Sequence, residues 1–447
     1  MKIRQIQGKR LMSTLKWSYV SGCSSEPLTN LTLGQLVDQS AEKFGHTRDA
    51  VVSVHQGPIR KTFQDVQKDS EQLAKGLLGL GLTKGDRVGI WGPNSYEWYQ
   101  TQMAAAKAGL VLVNVNPGYK SSELSYCINK VGIKALIAAQ KFKTTDYVKV
   151  LNELTDPGSL PCDPIPTLEH FVIIQDDKAK DLPRGVLTFQ DLEHAGTLKE
   201  ESILRILQDD IQMDDMANIQ FTSGTTGNPK GTCLSHHNIV NNGKFIGLRI
   251  GYDKKHHKIC CAPPLYHCFG CVIGNIAALY HGATMVLPGP HFNAKACLAS
   301  IESEKCTSIY GTPTMFTDMI EAQKVQNNDL ASVETGIMAG APCPEKLCLD
   351  VVHKLNAKDF VVAYGMTETS PVTFQGFPHD SMELKTSTIG YPAAHTEVKV
   401  VDEQGKLVPV GTPGELCTRA YSTMLGYWED EVKTKEMIKS DRRLHSG

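Results

Sequence analysis

Gly85-Asp86-Arg87-Val88-Gly89-Ile90-Trp91-Gly92-Pro93-Asn94 decides the fold class. A Gly-Asp turn opens a short apolar run, Arg87 to Trp91, and Gly92-Pro93-Asn94 closes it, which is the pattern of a buried strand. Upstream, Val66, Leu73, Leu77 and Leu80 repeat at helical spacing after Thr62, a residue suited to cap a helix N-terminus. Downstream, the pattern predicts a helix from Tyr96 to Lys107, a strand from Leu110 to Val113, a helix from Ser122 to Lys130 and a strand from Lys134 to Ala138. Strands alternating with helices imply a mostly parallel, doubly wound sheet.

The rhythm loosens over residues 153–215, where Pro157, Pro161, Pro164, Pro166 and Pro183 suggest a connector with some structure of its own. It resumes at Asn218 to Phe221, with further strands expected at Lys258 to Ala262, Thr284 to Leu287, Ser308 to Tyr310, Gly336 to Ala339 and Phe360 to Ala363. After about Ser387, Glu397 to Val401 and Glu415 to Arg419 alternate in polarity between turn sequences, as in a small β-rich unit. The expected organisation is a basic leader over 1–30 and an N-terminal α/β subdomain with its connector over 31–215. A second α/β subdomain over 216–386 and a β-rich subdomain over 387–447 follow.

The 447 residues are 41% hydrophobic and 21% charged, with a formal net charge of −2, which disfavours a nucleic-acid surface. The apolar runs Met103 to Val115 and Cys271 to Leu287 are interrupted by Lys107, Asn275 and His281, so they read as helix-then-strand pairs and not as membrane spans. Thirteen irregularly spaced cysteines suit reduced thiols better than a disulfide framework. The lone Cys268-Phe269-Gly270-Cys271 lacks the second ligand pair of a zinc site. Before Glu26 every charged residue is basic, with Lys2, Arg4, Lys9, Arg10 and Lys16 among Ser and Thr. That composition fits a mitochondrial targeting segment or a plain basic tail.

The strongest chemical signal is Thr222-Ser223-Gly224-Thr225-Thr226-Gly227-Asn228-Pro229-Lys230-Gly231, between a strand and a helix start. Its glycines allow backbone N–H groups to turn inward around phosphate oxygens, its hydroxyls add donors, and Lys230 supplies a point charge. The spacing is not that of Walker A, since the lysine is followed by glycine. A Gly/Ser/Thr linker is the plainer alternative, but it would need no proline and lysine.

This run resembles the signature of the adenylate-forming superfamily, and the rest of the chain resembles that family in order. Pro264 to Gly270, Gly311 to Thr314, Gly340-Ala341-Pro342, Tyr364-Gly365-Met366-Thr367-Glu368-Thr369, Gly414-Glu415-Leu416 and Gly426-Tyr427-Trp428 look like its successive landmarks. Within the family the chain looks like an acyl-CoA synthetase. The resemblance implies a fatty acid:CoA ligase that uses ATP, Mg²⁺ and CoA and passes through an acyl-adenylate. It implies that the Thr222–Lys230 loop holds the departing pyrophosphate, that Thr367 contacts the α-phosphate and that Glu368 holds Mg²⁺. Tyr364 and Gly365 would meet adenine, with Gly340, Ala341 and Pro342 as the other wall, and His267 would line the junction of acyl pocket and thiol path. Plainer readings stay open: core packing for Tyr364, a solvated loop carboxylate for Glu368, a hydrogen-bonded loop histidine for His267, and core for the helix Val272 to Leu279.

Amino-acid-activating members place an aspartate near the second landmark. Here the stretch reads His267-Cys268-Phe269-Gly270, which suits an uncharged, apolar-tailed acid. The resemblance also implies that the chain, ending Leu444-His445-Ser446-Gly447, stops before the family's ribose-binding aspartate and its C-terminal lid. Adenylation is then expected to be impaired, and a catalytically silent nucleotide-binding or interaction protein is the alternative. Mitochondrial matrix, or else cytoplasm, is the expected location.

Overall fold

The computed structural model describes residues 16–175, 182–222 and 228–446. Two large sheets, a four-stranded sheet and a two-stranded ribbon organise it. The first large sheet has eight strands in the order Val186–Thr188, His170–Ile174, Ile133–Ala139, Arg87–Trp91, Val111–Val115, Met216–Thr222, Lys230–Ser235, Gly426–Tyr427. It is parallel up to Met216–Thr222, and its last two strands run antiparallel to their neighbours. The second has nine strands, with a parallel centre from Asp359–Gly365 through Thr335–Met338, Ser308–Gly311, Lys258–Cys261 and Thr284–Leu287 to Asp49–Ser53. Antiparallel strands flank it on both sides: Val372–Gln375 and Tyr391–Pro392 at one edge, Ile59–Thr62 at the other.

Both faces of each sheet are covered, and the strands show it residue by residue. Val88 and Ile90 point into a central core shared with the helices Leu33–Phe44, Phe63–Gly79, Tyr96–Lys107 and His236–Ile250. Trp91 turns to an outer core beneath Ser121–Val131. In the second sheet Ile259, Tyr310, Ile337 and Val361 face the central core, while Cys260, Ile309, Met338 and Phe360 face helices on the far side. The period of two follows from strand geometry, and double burial explains why these strands read as continuous apolar runs. The helices start where the side chains predict: Thr62 caps its helix with a reciprocal bond to Asp65, and Ser95 accepts from the Trp98 N–H at 3.1 Å.

The α/β class and the order of elements match the expectation, and no helix among the described residues is long and apolar enough to cross a membrane. All thirteen cysteines are free thiols. The sheets cut across the expected divisions of the chain, however. Met216–Thr222 and Lys230–Ser235 complete the first sheet, whereas Asp49–Ser53 and Ile59–Thr62 belong to the second. The 153–215 connector supplies two strands and the helices Phe189–His194 and Leu198–Asp210. The β-rich unit pairs Thr396–Val401 with Glu415–Ala420 as expected, but recruits Tyr19–Ser21 from the far end of the chain. Long-range pairing of this kind leaves no local pattern to read. Residues 1–15 of the basic leader lie outside the described residues.

Candidate nucleotide site

In an open α/β sheet the crevice for a ligand lies beyond the carboxyl ends of the parallel strands. Five of the described landmarks sit at such ends. Thr222 closes its strand in the first sheet. In the second, Cys261 ends the strand leading to Pro264–Gly270, Gly311 leads to Thr312, Met338 to Gly340-Ala341-Pro342, and Gly365 to Thr367-Glu368-Thr369. The two edges are pinned to each other by buried asparagines. Asn94 donates to the Pro263 carbonyl at 3.2 Å and accepts from the Leu265 N–H at 2.7 Å, and Asn114 donates to the Tyr266 carbonyl at 3.0 Å. In sequence only Asn94 carries a hint of this, since it follows the end of Arg87–Trp91, whereas Asn114 lies within Val111–Val115.

The turn between Asp359–Gly365 and Val372–Gln375 is built with unusual constraint. A side chain on Gly365 would place its Cβ 1.8 Å from the Pro371 carbonyl oxygen, so only glycine fits. Ser370 adopts a left-handed backbone with φ of 66°, a strained state for a residue with a side chain. It is held there by a 2.8 Å bond from its hydroxyl to the Ser422 carbonyl. The product of this turn is a short helical segment that buries Thr367 and Glu368. The Thr367 hydroxyl meets only the Cys268 sulfur among the described residues, at 3.7 Å, and so keeps its hydrogen-bonding capacity for a ligand. Tyr364 is half-buried, edge-on to Phe374 at 6.0 Å between centroids. Gly340, Ala341 and Pro342 are exposed, and Gly340 has a φ of 87° that favours glycine.

Ser223, Gly224, Thr225, Thr226 and Gly227 lie outside the described residues. Both ends of their loop are placed. Thr222 and Lys230 are paired across the antiparallel strands that flank it. The exit is held by Tyr126, whose hydroxyl donates to the Pro229 carbonyl at 3.1 Å, and by the Trp428 N–H donating to the Gly231 carbonyl at 2.8 Å. Asn228 is exposed. The Lys230 ammonium lies 5.0 Å from the centroid of the Tyr427 ring, and the Tyr427 hydroxyl donates to Glu368 Oε1 at 2.8 Å. Lys230 from the first sheet and Glu368 from the second thus converge through one tyrosine.

Glu368 is 7% exposed. A buried carboxylate is costly without partners, and its other oxygen takes no hydrogen bond from the described residues, so it suits a hard cation such as Mg²⁺. His267 is exposed, and its Nδ1 accepts from the Phe269 N–H at 3.1 Å with the Cys268 sulfur 3.6 Å away. The nearby sulfur raises the imidazole pKa, against the lowering effect of the protein packed around the ring. The helix after His267 is a π-helix, Phe269–Ile276, that continues as a short α-helix to His281. Its apolar pattern cannot distinguish the two windings, and π-turns recur at functional sites.

A second recess, of about 380 Å³, includes Lys43, Arg48, Lys244 and His256 in its lining. It lies by the amino end of Lys258–Cys261, away from the landmarks. The carboxyl ends of three helices, at Gly45, Gly251 and Gly282, gather there, and the basic side chains offset their partial negative charge.

The AMP-binding enzyme family matches residues 37–428. The chain belongs to that family. Among curated relatives, "Medium-chain acyl-CoA ligase ACSF2, mitochondrial" of Danio rerio is 46% identical over 442 residues, covering 97% of this chain and 72% of the relative. The Homo sapiens protein of the same name is 41% identical over 441 residues, covering 96% and 71%. The same fold is seen in a long-chain-fatty-acid-CoA ligase from Archaeoglobus fulgidus, with a TM-score of 0.78 at 23% identity over 97% of this chain and 84% of that one. It is seen again in the anthranilate CoA ligase AuaEII, solved with anthranoyl-AMP, with a TM-score of 0.81 at 23% identity over 94% and 76%. Family membership accounts for the order of landmarks along the chain, from the loop after Thr222 to Gly426-Tyr427-Trp428.

Proposed function

We propose that the protein is an acid:thiol ligase. It activates a carboxylic acid with ATP as an acyl-adenylate and passes the acyl group to CoA, with a medium-chain fatty acid as its substrate. The observation that carries this reading is the convergence of Lys230 and Glu368 on Tyr427 at the carboxyl edges of both sheets. One cation and one anion are thereby set side by side where a triphosphate and its metal would enter.

The adenylation step needs no general base. A carboxylic acid has a pKa of about 4 to 5 and is ionised at neutral pH. Its oxygen attacks the α-phosphorus, the bond to pyrophosphate breaks, and the mixed anhydride forms. The CoA thiol, its proton released to solvent, then attacks the acyl carbon, the thioester bond forms and the bond to AMP breaks. The protein's part is to hold the line of attack and offset charge. In our assignment the Thr222–Lys230 loop, with Lys230 as its point charge, holds the pyrophosphate, and the Thr367 hydroxyl contacts the α-phosphate. Glu368 would hold Mg²⁺, which supplies charge neutralisation between phosphates. Tyr364 stacks on adenine opposite Gly340-Ala341-Pro342, and His267 stands where acyl and thiol paths meet. No acidic side chain occurs from Pro264 to His281, which supports an uncharged acyl tail. The names of the relatives support a medium chain length and a mitochondrial setting.

Calorimetric titration with acyl-sulfamoyl-adenosines from C4 to C16, which mimic the adenylate without reacting, tests this reading. Affinity should exceed that of AMP and peak at intermediate chain length. Affinity no better than AMP at every length, or a preference for an aminoacyl analogue, overturns it.

A further inference from the structure

Tyr427 lies in a landmark, Gly426-Tyr427-Trp428, to which the reaction gives no task. We propose that Tyr427 is a positioning residue that holds Glu368 and Lys230 apart and aimed, so that the triphosphate and its metal meet them already in place. The proposal rests on the nucleotide-site reading above.

Three observations carry it. The first is anchoring. Tyr427 pairs with Thr232, the neighbouring Trp428 N–H bonds to Gly231, and its own N–H donates to the Thr434 hydroxyl at 2.9 Å. The same segment grips the main chain of Glu368, whose carbonyl accepts from the Met424 N–H at 2.9 Å. One piece of backbone therefore fixes both the main chain and the carboxylate of Glu368. The second is commitment of protons. Tyr427 is 5% exposed, and a buried phenol needs a partner. That partner is Glu368, whose carboxylate accepts from the phenol hydroxyl at 2.8 Å. The hydroxyl occupies Oε1 and leaves the other oxygen for a cation. The third is separation. The ring stands against Lys230, 5.0 Å from ammonium to centroid, while its hydroxyl holds Glu368. Without the ring between them, the two opposite charges could pair directly, and each would then be quenched before a ligand arrived. Preorganised charges that need no rearrangement are what such a site gains.

The test uses the 447-residue protein and ATP calorimetry, first in EDTA and then across a series of Mg²⁺ concentrations. Tyr427→Phe keeps the ring and loses the hydroxyl. ATP affinity in EDTA should stay within about twofold, while the Mg²⁺ needed for half-maximal enhancement rises roughly tenfold, as for a lost hydrogen bond to a charged group. Once Glu368→Gln has removed the Mg²⁺ enhancement, adding Tyr427→Phe should change nothing more. Tyr427→Leu removes the spacer, so Lys230 pairs with Glu368 and ATP affinity in EDTA falls by roughly tenfold. Glu368→Gln in that background should restore it, which no general loosening of the fold would do. Wild-type Mg²⁺ dependence in Tyr427→Phe, or no rescue of Tyr427→Leu by Glu368→Gln, overturns the proposal and leaves the nucleotide site standing. Absence of ATP binding by the wild type, or full Mg²⁺ enhancement in Glu368→Gln, overturns both.

Discussion

Replacing Lys230 with methionine should separate ATP from AMP. The lysine is half-buried, with its ammonium 5.0 Å from the Tyr427 centroid. Methionine keeps most of the apolar stem that packs there, so the empty protein loses only the cation–π contact, about 0.5–1 kcal/mol. In the assignment above the ammonium contacts the pyrophosphate portion of ATP, and a hydrogen bond between charged partners contributes about 1.5–3 kcal/mol. At 1.4 kcal/mol per decade, ATP should bind Lys230→Met roughly 10- to 150-fold more weakly. AMP carries no β- or γ-phosphate and should bind within about twofold of wild type, since nothing it touches has changed. Paired calorimetric titrations with ATP and AMP read both numbers. Raising the salt concentration should narrow the ATP gap between the two proteins, because the lost term is partly screened. Equal losses for ATP and AMP would show that Lys230 supports the fold of the site and not the phosphates. No loss for either would remove the lysine from the site.

Gly365→Ala should abolish measurable AMP binding, because the new Cβ would sit 1.8 Å from the Pro371 oxygen and the turn presenting Tyr364 and Thr367 must move. The accompanying cost in a denaturant melt should be about 1–3 kcal/mol, that of an overpacked site. Lys107 is fully buried, with its ammonium 2.5 Å from Asp38 and 3.3 Å from Glu71. Lys107→Met should change stability by no more than about 1 kcal/mol, whereas Asp38→Ala with Glu71→Ala should cost about 3–5 kcal/mol by leaving the ammonium buried and alone. His236 is fully buried, accepts from the Leu33 N–H at 3.1 Å, and has its pKa pulled from 6.5 down to about 4 by burial. The unfolded chain therefore binds the proton first, so stability is complete above pH 6.5 and declines as pH falls towards 4. His236→Gln should remove up to about 3 kcal/mol of that decline in melts taken across the window.

What the sequence disclosed and what it withheld follow from the range of the forces involved. Arg87–Trp91 and Tyr96–Lys107 appear where a turn-bounded apolar run and a capped helical pattern placed them, because those signals are local. The strands at 170–174 and 186–188 were obscured by flanking prolines, and become strands only by adding to a sheet edge already formed. The π-winding of Phe269–Ile276 has the same apolar content as an α-turn. In the site, Thr367 and Glu368 could be found because they sit inside a distinctive run. The bonding roles of Asn94, Asn114 and Tyr427 could not, since their partners lie 171, 152 and 59 residues away and only the fold brings them together.

In the function proposed above, the loop between Thr222 and Gly231, Tyr364 and Glu368 form one nucleotide site. A crystal structure of the protein with a decanoyl-sulfamoyl-adenosine measures this most directly. Adenine should lie against the Tyr364 ring, the sulfamoyl group beside the Thr367 hydroxyl, and the acyl chain should run from there towards Phe269. An analogue bound away from Tyr364, with Thr367 and Glu368 untouched, would contradict the account.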